Sequence, residues 1–493
     1  MKEREKFGSR LGFILVSAGC AVGLGNVWKF PYMTGKNGGA AFILIYLLFL
    51  VLMGLPIMVA EFSVGRASQK SVASSFKLLQ AKGRTWHKFG YIAMLGNYIL
   101  MMFYTMVGGW MIYYMVRMAR GDFSGKEFVE GELAGEFTSM LASPGILGIF
   151  TFLAILIAFG ICSFGVQKGV ERITKFMMTS LLLLIFVLVI RSVTLKGAAE
   201  GLKFYLIPDF KKVAEIGVGN VIFGAMSQAF FTLSIGMGSM AIFGSYLGKD
   251  RSLMGESIGI TILDTLVAVC SGLIIIPACF AFGVNPDAGP SLIFITLPHV
   301  FNQMPIGRLW GSLFFLFLSF AALTTIVAVF ENIISFAIDL WGWKRKKAVI
   351  VNIILISILT LPCILGFNVW SAIQPLGPGS TIMDLEDLIV SNTILPLGSM
   401  VYLIFCTRDF GWGWDRFIKE ANTGFGVKLP LSFRFHMTNI IPVLIFVIYL
   451  KGYYDLFVSK GRLYLVTWMI LSVAFLGLLF YIMLGKKKTK KDN

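Results

Sequence analysis

Ionisable side chains are scarce in this sequence. Of its 493 residues, 14% are charged and three are histidines, whereas 57% are hydrophobic and the mean hydropathy is +0.81. Soluble globular domains carry about 25% charged residues, so this composition excludes an ordinary soluble domain. The histidines show no metal-ligand spacing, which argues against a zinc site. The composition therefore predicts an all-α polytopic membrane protein.

Motifs typical of enzymes and of disulfide-stabilised folds are also missing. The sequence contains no Walker loop, nucleophile elbow or zinc-protease motif, so we expect neither enzymatic activity nor an organic cofactor. All six cysteines fall in or at the edge of hydrophobic segments, and a disulfide framework is not expected. The first hydrophobic segment lacks the features of a cleavable signal peptide.

Hydrophobic segments of spanning length dominate what is present, and twelve can be delimited. They lie at 10–32, 40–65, 88–116, 145–162, 173–193, 214–246, 254–282, 309–340, 348–366, 382–406, 436–450 and 464–484. The segment at 436–450 is the least secure because it is short. We predict twelve transmembrane helices.

Basic residues outnumber acidic ones by 43 to 26, but their placement does not indicate a nucleic-acid partner. With the N-terminus inside, the inside connections hold about twice as many Lys and Arg residues as the outside ones, as the positive-inside rule expects. We predict a multi-pass protein of the cell membrane with both termini in the cytoplasm. The tail KKKTKK at 486–491 is interpreted as an anchor on anionic lipid. Membrane lipid is therefore an expected partner.

Glycine interrupts two of these segments. The first contains GCAVGLGN at 19–26, and the sixth contains SIGMGS at 234–239. A glycine costs about 1 kcal/mol relative to alanine inside a helix, and unpaired backbone groups in lipid cost several kcal/mol more. Glycine-lined helix packing is one explanation. The other is a pair of helices broken to bind a ligand, as in transporters built from two repeats.

Four stretches resemble the neurotransmitter:sodium symporter family: RLGFILVSAGCAVGLGNVWKFPYMTGKNGGAAF at 10–42, FFTLSIGMG at 230–238, TLPHVFNQMP at 296–305 and FAALTT at 320–325. The resemblance implies a LeuT-like fold with a 5+5 inverted repeat, helices 1 and 6 broken mid-membrane, and two additional C-terminal helices. The expected parts are an N-terminal segment at 1–9, a core at 10–406 with repeats at 10–193 and 214–406, helices 11 and 12 with their preceding loop at 407–485, and a basic tail at 486–493.

The resemblance also implies sodium-coupled symport of an amino acid or amine into the cell by alternating access. Amine transporters of the family carry an aspartate where this chain has Gly23, so we expect a hydrophobic L-amino acid. An amino-acid-binding sensor or channel with a transporter-like fold is an alternative, because binding sites alone do not prove turnover. The oligomeric state is left open.

Two sodium sites follow from the family pattern. One takes the Ala21 carbonyl and the side chains of Asn26, Thr232 and Asp264; the other takes the carbonyls of Gly19, Val22 and Ala321 with the hydroxyls of Thr324 and Thr325. Oxygen ligands suit hard cations. Asp264 is the strongest single signal, because a carboxylate in mid-membrane is expensive and functional by default.

The same pattern places the substrate against Cys20, Ala21, Gly23, Leu24, Gly25, Leu100, Tyr104, Phe231, Thr232, Ser234, Met237, Thr325 and Val329. Its carboxylate is expected at the amides around Leu24 and Gly25, since a half-helix N-terminus attracts anions.

Charged residues at the two ends of this pocket are expected to act as gates. Lys29 and Asp387 form the predicted outer pair, and Arg4 and Asp339 the inner one. An exposed ion pair is worth about 0–1 kcal/mol, so a gate closed by such a pair can open again.

A chloride ion is not expected in the transport cycle. Tyr46 and Gln228 match the chloride-binding frame of the family, but Ala268 replaces its serine. Asp264 lies one helical turn earlier on the same face. We expect its carboxylate to supply the negative charge that chloride supplies elsewhere.

Overall fold

The computed structural model describes residues 5–123, 130–284 and 292–485. Within these ranges the chain is helical apart from connecting loops and one isolated bridge between Arg251 and Phe425. In the described ranges, ten helices are long and apolar enough to cross a membrane. They are the second to fifth spans at Ala40–Ser68, His87–Arg120, Pro144–Ser163 and Val166–Val193, and the seventh to twelfth at Leu253–Ala281, Gly307–Trp341, Arg345–Leu365, Ile382–Thr407, Phe433–Lys460 and Arg462–Leu484.

Two bent pairs of helices complete the predicted set of twelve. The first span consists of Arg10–Ala21 and Gly25–Lys36, which meet at 58°. In the second pair, Phe210–Ile216 turns by 100° into Val218–Thr232, and the sixth span continues beyond its break as Ser239–Ser245. The prediction that spans one and six are broken is confirmed.

Shorter helices occupy the connections between spans. They are Val72–Leu79, Glu130–Ala142, Ala198–Leu206, Leu297–Gln303 and Trp414–Ala421. The most apolar stretch of the eighth span is 83% buried, whereas that of the twelfth is 22% buried. The eighth span therefore lies inside the bundle and the twelfth at its periphery, where apolar side chains face lipid.

The break in the first span is shorter than the predicted Gly19–Gly25. Only Val22 and Gly23 leave the helical path; Gly19 remains in the first half-helix and Gly25 begins a widened helical turn, Gly25–Lys29. The reason is that each unpaired backbone group at this depth is costly. The Gly23 amide donates to Asn26 Oδ1 at 3.2 Å and the Leu24 amide to Tyr104 Oη at 3.0 Å, so few groups lose a partner.

The break in the sixth span extends from Leu233 to Gly238, which confirms the predicted interruption at 234–238 and adds one residue. Gly236 and Gly238 have φ of +104° and +87°, a region that glycine adopts without steric cost. The Glu61 carboxylate of the second span accepts hydrogen bonds from the amides of Gly236 at 2.7 Å and Met240 at 3.0 Å. One amide of the break and one at the start of the following half-helix thereby gain a partner.

Candidate functional site

A cavity of about 310 Å³ lies between the two broken spans. Its lining is Ala21, Gly23, Leu24, Gly25, Trp28, Lys29, Tyr32, Leu100, Phe103, Tyr104, Val107, Phe231, Ser234, Met237, Ser239, Thr325, Val329, Met383, Asp387, Val390, Ser391 and Leu395. Eleven of the thirteen residues expected to contact the substrate are in this set. Cys20 and Thr232 do not line the cavity and are fully buried behind it.

Sequence reasoning missed several residues of the wall. Val107 lies three residues after Tyr104 and seven after Leu100, so helical spacing already places it on the same face. Met383, Val390 and other tenth-span residues of the wall belong to no motif, and only tertiary packing brings them here.

The polar end of the cavity is built around Tyr104 and Gly23. The Tyr104 hydroxyl accepts the Leu24 amide, next to the start of the second half-helix. A Cβ atom at position 23 would overlap this hydroxyl and stand 2.9 Å from Thr325 Oγ1. Position 23 therefore has no room for an aspartate side chain in this arrangement.

Three oxygen-bearing side chains meet beside the first break. Asn26 Nδ2 lies 2.8 Å from Asp264 Oδ1 and 3.0 Å from Thr232 Oγ1, and the Thr232 hydroxyl donates to Asp264 Oδ2 at 3.0 Å. All three residues are fully buried. Among the described residues, no Lys or Arg nitrogen lies within 4.0 Å of the Asp264 carboxylate. A buried charge without a partner is costly, so the donor set fits a cation such as sodium.

A second group of oxygens surrounds Thr325. Its hydroxyl lies 3.1 Å from the Val22 carbonyl oxygen, 3.3 Å from that of Gly19 and 3.3 Å from that of Ala321. One hydroxyl proton can serve only one of these acceptors at a time. The Gly19 carbonyl is available because the Gly23 amide, its partner in a regular helix, is bonded to Asn26. Thr324 instead donates to Ala321 within its own helix at 3.0 Å. This cluster also fits a small hard cation.

The predicted outer gate residues face each other across the cavity without forming an ion pair. No carboxylate of the described chain lies within 4.0 Å of the Lys29 ammonium, which sits 3.7 Å from the centre of the Phe231 ring. Asp387 accepts a hydrogen bond from Ser391 at 2.5 Å. An outer gate formed by Lys29 and Asp387 stays a prediction.

At the end of the bundle where the inner gate is predicted, Arg4 and the tail at 486–491 lie outside the described residues. Asp339 accepts the Ser71 amide at 2.6 Å and lies 3.9 Å from the Lys70 ammonium. The pairing of Asp339 with Arg4 therefore stays a prediction.

Glu331, which sequence reasoning missed, organises the rest of the inner end. Arg345 donates two hydrogen bonds of 2.8 and 2.9 Å to the Glu331 carboxylate, and Tyr246 Oη lies 2.8 Å from the same carboxylate. The rule that singled out Asp264, a carboxylate within a hydrophobic span, applies equally to Glu331 and Glu61.

Comparison with known proteins decides the family. A model of the sodium:neurotransmitter symporter family matches residues 4–127 and 124–484. The chain belongs to this family. An uncharacterised sodium-dependent transporter of Bacillus subtilis strain 168, YhdH, is 37% identical over 402 residues, which is 81% of this chain and 87% of the relative. A sodium- and chloride-dependent GABA transporter 2 of Mus musculus is 25% identical, over 73% of this chain and 66% of that protein.

Solved structures give the same result. The crystal structure of MhsT in complex with L-phenylalanine aligns with a TM-score of 0.80 and 36% identity, covering 91% of this chain and all of that one. The LeuT-like fold is thereby confirmed, and the chain is a sodium-dependent membrane transporter.

Proposed function

We propose that this member of the family carries a hydrophobic L-amino acid into the cell together with two sodium ions, without chloride. The observation that carries the proposal is the cavity itself. It has a polar end at the Leu24 amide and Tyr104, and its walls include Leu100, Val107 and Val329. The zwitterionic backbone of a hydrophobic amino acid matches the polar end, and its apolar side chain matches the apolar walls.

The closed space at Gly23 supports an amino acid over an amine. An amine substrate needs a fixed carboxylate to replace the carboxylate it lacks, and no room for one exists between Tyr104 and Thr325. MhsT, whose crystal structure contains L-phenylalanine, shares the fold at 36% identity. Leucine, methionine and the aromatic amino acids are therefore the leading candidates for this chain, and Met237 on the wall is flexible enough to fit either shape.

The two oxygen clusters support two sodium ions. Asn26, Thr232 and Asp264 would hold one, with the Ala21 carbonyl completing the set. Carbonyls of Gly19, Val22 and Ala321 with the hydroxyls of Thr324 and Thr325 would hold the other. Each bound ion would link the first span to the seventh or eighth, since each cluster joins groups from both. Sodium would thus favour the arrangement in which the substrate site is assembled.

The proposed orientation in the membrane rests on the distribution of charge, and the sodium gradient gives the direction of transport. Inward movement with both termini in the cytoplasm agrees with the excess of Lys and Arg on the N-terminal side of the bundle.

Uptake into proteoliposomes tests the proposal. Labelled leucine, methionine and phenylalanine should accumulate only when external sodium exceeds internal sodium, and dopamine should not compete. Proteoliposomes with equal sodium on both sides are the control for binding without transport. Binding of the amino acid with no gradient-driven accumulation would favour the sensor or channel alternative, and preferential uptake of the amine would contradict the substrate assignment.

A further inference from the structure

A second cavity, of about 510 Å³, lies where the tenth span ends and the eleventh begins. It is lined by Thr407, Arg408, Asp409, Leu431, Ser432, Arg434, Phe435, Thr438 and Asn439. This end of the bundle is the one that carries the N-terminal segment. The connection between the two spans contacts the end of the second span through the ion pair of Arg66 and Glu420 at 2.7 Å. Nothing in the transport site uses this cavity.

Two arginines, Arg408 and Arg434, give the wall of this cavity its positive charge. Arg408 donates to Asn439 Oδ1 at 2.8 Å, and the Arg434 guanidinium lies 6.0 Å from the Trp414 ring centre. In the part of the chain that the structure describes, no carboxylate oxygen lies within 4.0 Å of either guanidinium, although Asp409 also lines the cavity. Guanidinium groups bind phosphate through paired N–H donors. An anionic phosphate would therefore supply the negatively charged partner that neither arginine has within the described chain.

Large apolar side chains stand beside these arginines. Leu431 is 69% exposed and Phe435 is 66% exposed, and both line the cavity. Phe425 and Val427, earlier in the same connection, are also exposed. Alternation of exposed apolar and basic side chains at the end of a span is typical of chain that lies in the membrane interface. A ligand with acyl chains would cover Leu431 and Phe435, whereas a free phosphate would leave them bare.

We propose that this cavity is a binding site for an anionic phospholipid of the adjacent leaflet. The headgroup phosphate lies between Arg408 and Arg434, and the acyl chains lie against Leu431 and Phe435. Basic pockets between membrane helices bind anionic headgroups in this way. A zwitterionic phosphatidylcholine is disfavoured, because its quaternary ammonium brings a positive charge to a wall that already holds two.

The connection that leads to Arg434 is tied to the loop that follows the sixth span. The Phe425 amide donates to the Asp250 carbonyl at 2.8 Å, and the Ser252 amide donates to the Phe425 carbonyl at 2.9 Å. Residues 250–252 lie in the loop that follows the second half of the sixth span, Ser239–Ser245. A lipid held at the cavity therefore steadies the loop on which that half-helix ends.

Native mass spectrometry of the purified full-length protein measures this binding directly. Wild-type protein titrated with phosphatidylglycerol should retain at least one more lipid than the double variant Arg408→Gln, Arg434→Gln. Each basic residue near an anionic surface contributes about 1 kcal/mol, so the double variant should bind that lipid roughly 30-fold more weakly, which corresponds to about 2 kcal/mol. The matched control is Arg416→Gln, Lys419→Gln, which removes two exposed positive charges from the same connection outside the cavity. It should retain phosphatidylglycerol as the wild type does.

Three further arms separate the lipid from other sources of phosphate and from misfolding. Phosphatidylcholine should show no difference between wild type and the Arg408/Arg434 variant, and inorganic phosphate should not compete with phosphatidylglycerol. Leu431→Ala, Phe435→Ala keeps both arginines and should weaken retention of the long-chain lipid. Single Arg408→Gln and Arg434→Gln variants serve if the double variant does not fold. The proposal would be overturned if the wild type, the single variants and the control retained phosphatidylglycerol equally. Competition by inorganic phosphate would also overturn it.

Discussion

Replacing Gly23 with alanine places a methyl group where the Tyr104 hydroxyl and Thr325 Oγ1 already meet. The new Cβ would overlap that hydroxyl and stand 2.9 Å from Thr325 Oγ1. Relief of the overlap requires Tyr104 to move off the Leu24 amide, to which it is bonded at 3.0 Å. Thr325 must also shift, and it lies among the carbonyls of the second cation cluster.

The expected loss combines two terms. A hydrogen bond is worth about 1 kcal/mol net, and overpacking of a well-packed site costs about 1–3 kcal/mol. The sum of about 2–4 kcal/mol predicts amino acid binding weakened roughly 30- to 700-fold. Because Thr325 is displaced as well, the sodium concentration needed for half-maximal binding should rise in the same variant.

Scintillation proximity binding of a labelled amino acid over a range of sodium concentrations measures both effects. Gly160→Ala in the fourth span is the control, because a Cβ there meets nothing within 4 Å. In a Tyr104→Phe background, Gly23→Ala should weaken binding less, because the hydroxyl is gone and the next ring atom of residue 104, Cζ, lies 3.6 Å from the new Cβ. The costs of the two substitutions should therefore not add. Wild-type affinity in Gly23→Ala, or equal costs in both backgrounds, would refute this account of the site.

Four further substitutions and one anion replacement test the remaining parts of the site. The Asp264→Asn variant should show impaired sodium-driven uptake, and chloride should restore part of that uptake. Replacing chloride by gluconate should leave the initial uptake rate of the wild type unchanged. A collapse of wild-type uptake in gluconate would refute the role of Asp264. Thr325→Val should raise the sodium requirement by about tenfold, while Thr324→Val should change it less, as sodium titrations of binding would show. Met237→Phe should penalise the bulkiest amino acids first in competition assays, because it overfills the wall.

Local sequence was enough to predict the helices and to locate the two glycine clusters at which they are interrupted, because glycine is expensive in a helix that must also satisfy its backbone in lipid. The glycine pattern alone also allowed close helix packing, and the resemblance to the family decided in favour of two breaks. The extent of the first break was overestimated, since Gly19 and Gly25 remain helical. How far a helix unwinds depends on partners such as Tyr104, which lies 80 residues away from Leu24, and the glycine pattern does not contain them.

The site could be predicted where a quoted stretch ran through it or where the family pattern supplied a residue, as it did Tyr104 of the third span. Met383, Val390 and Leu395 reach the cavity from the tenth span, where neither a quoted stretch nor that pattern singled them out. The same holds for Glu61, whose amide partners lie 175 or more residues along the chain. Such pairings arise from packing between distant segments, and no local pattern encodes them.

The three completely buried carboxylates of the described spans, Glu61, Glu331 and Asp264, are stabilised in three different ways, and the difference favours a sodium ion at Asp264. Glu61 is held by backbone amides of the broken sixth span, and Glu331 is paired with the Arg345 guanidinium. Among the described residues, the Asp264 carboxylate accepts hydrogen bonds only from the neutral side chains of Asn26 and Thr232. A fixed internal partner makes a carboxylate structural, because its charge is balanced throughout the cycle. A carboxylate balanced only by neutral donors gains most from a cation that arrives and leaves, which is the property that a coupling-ion site requires.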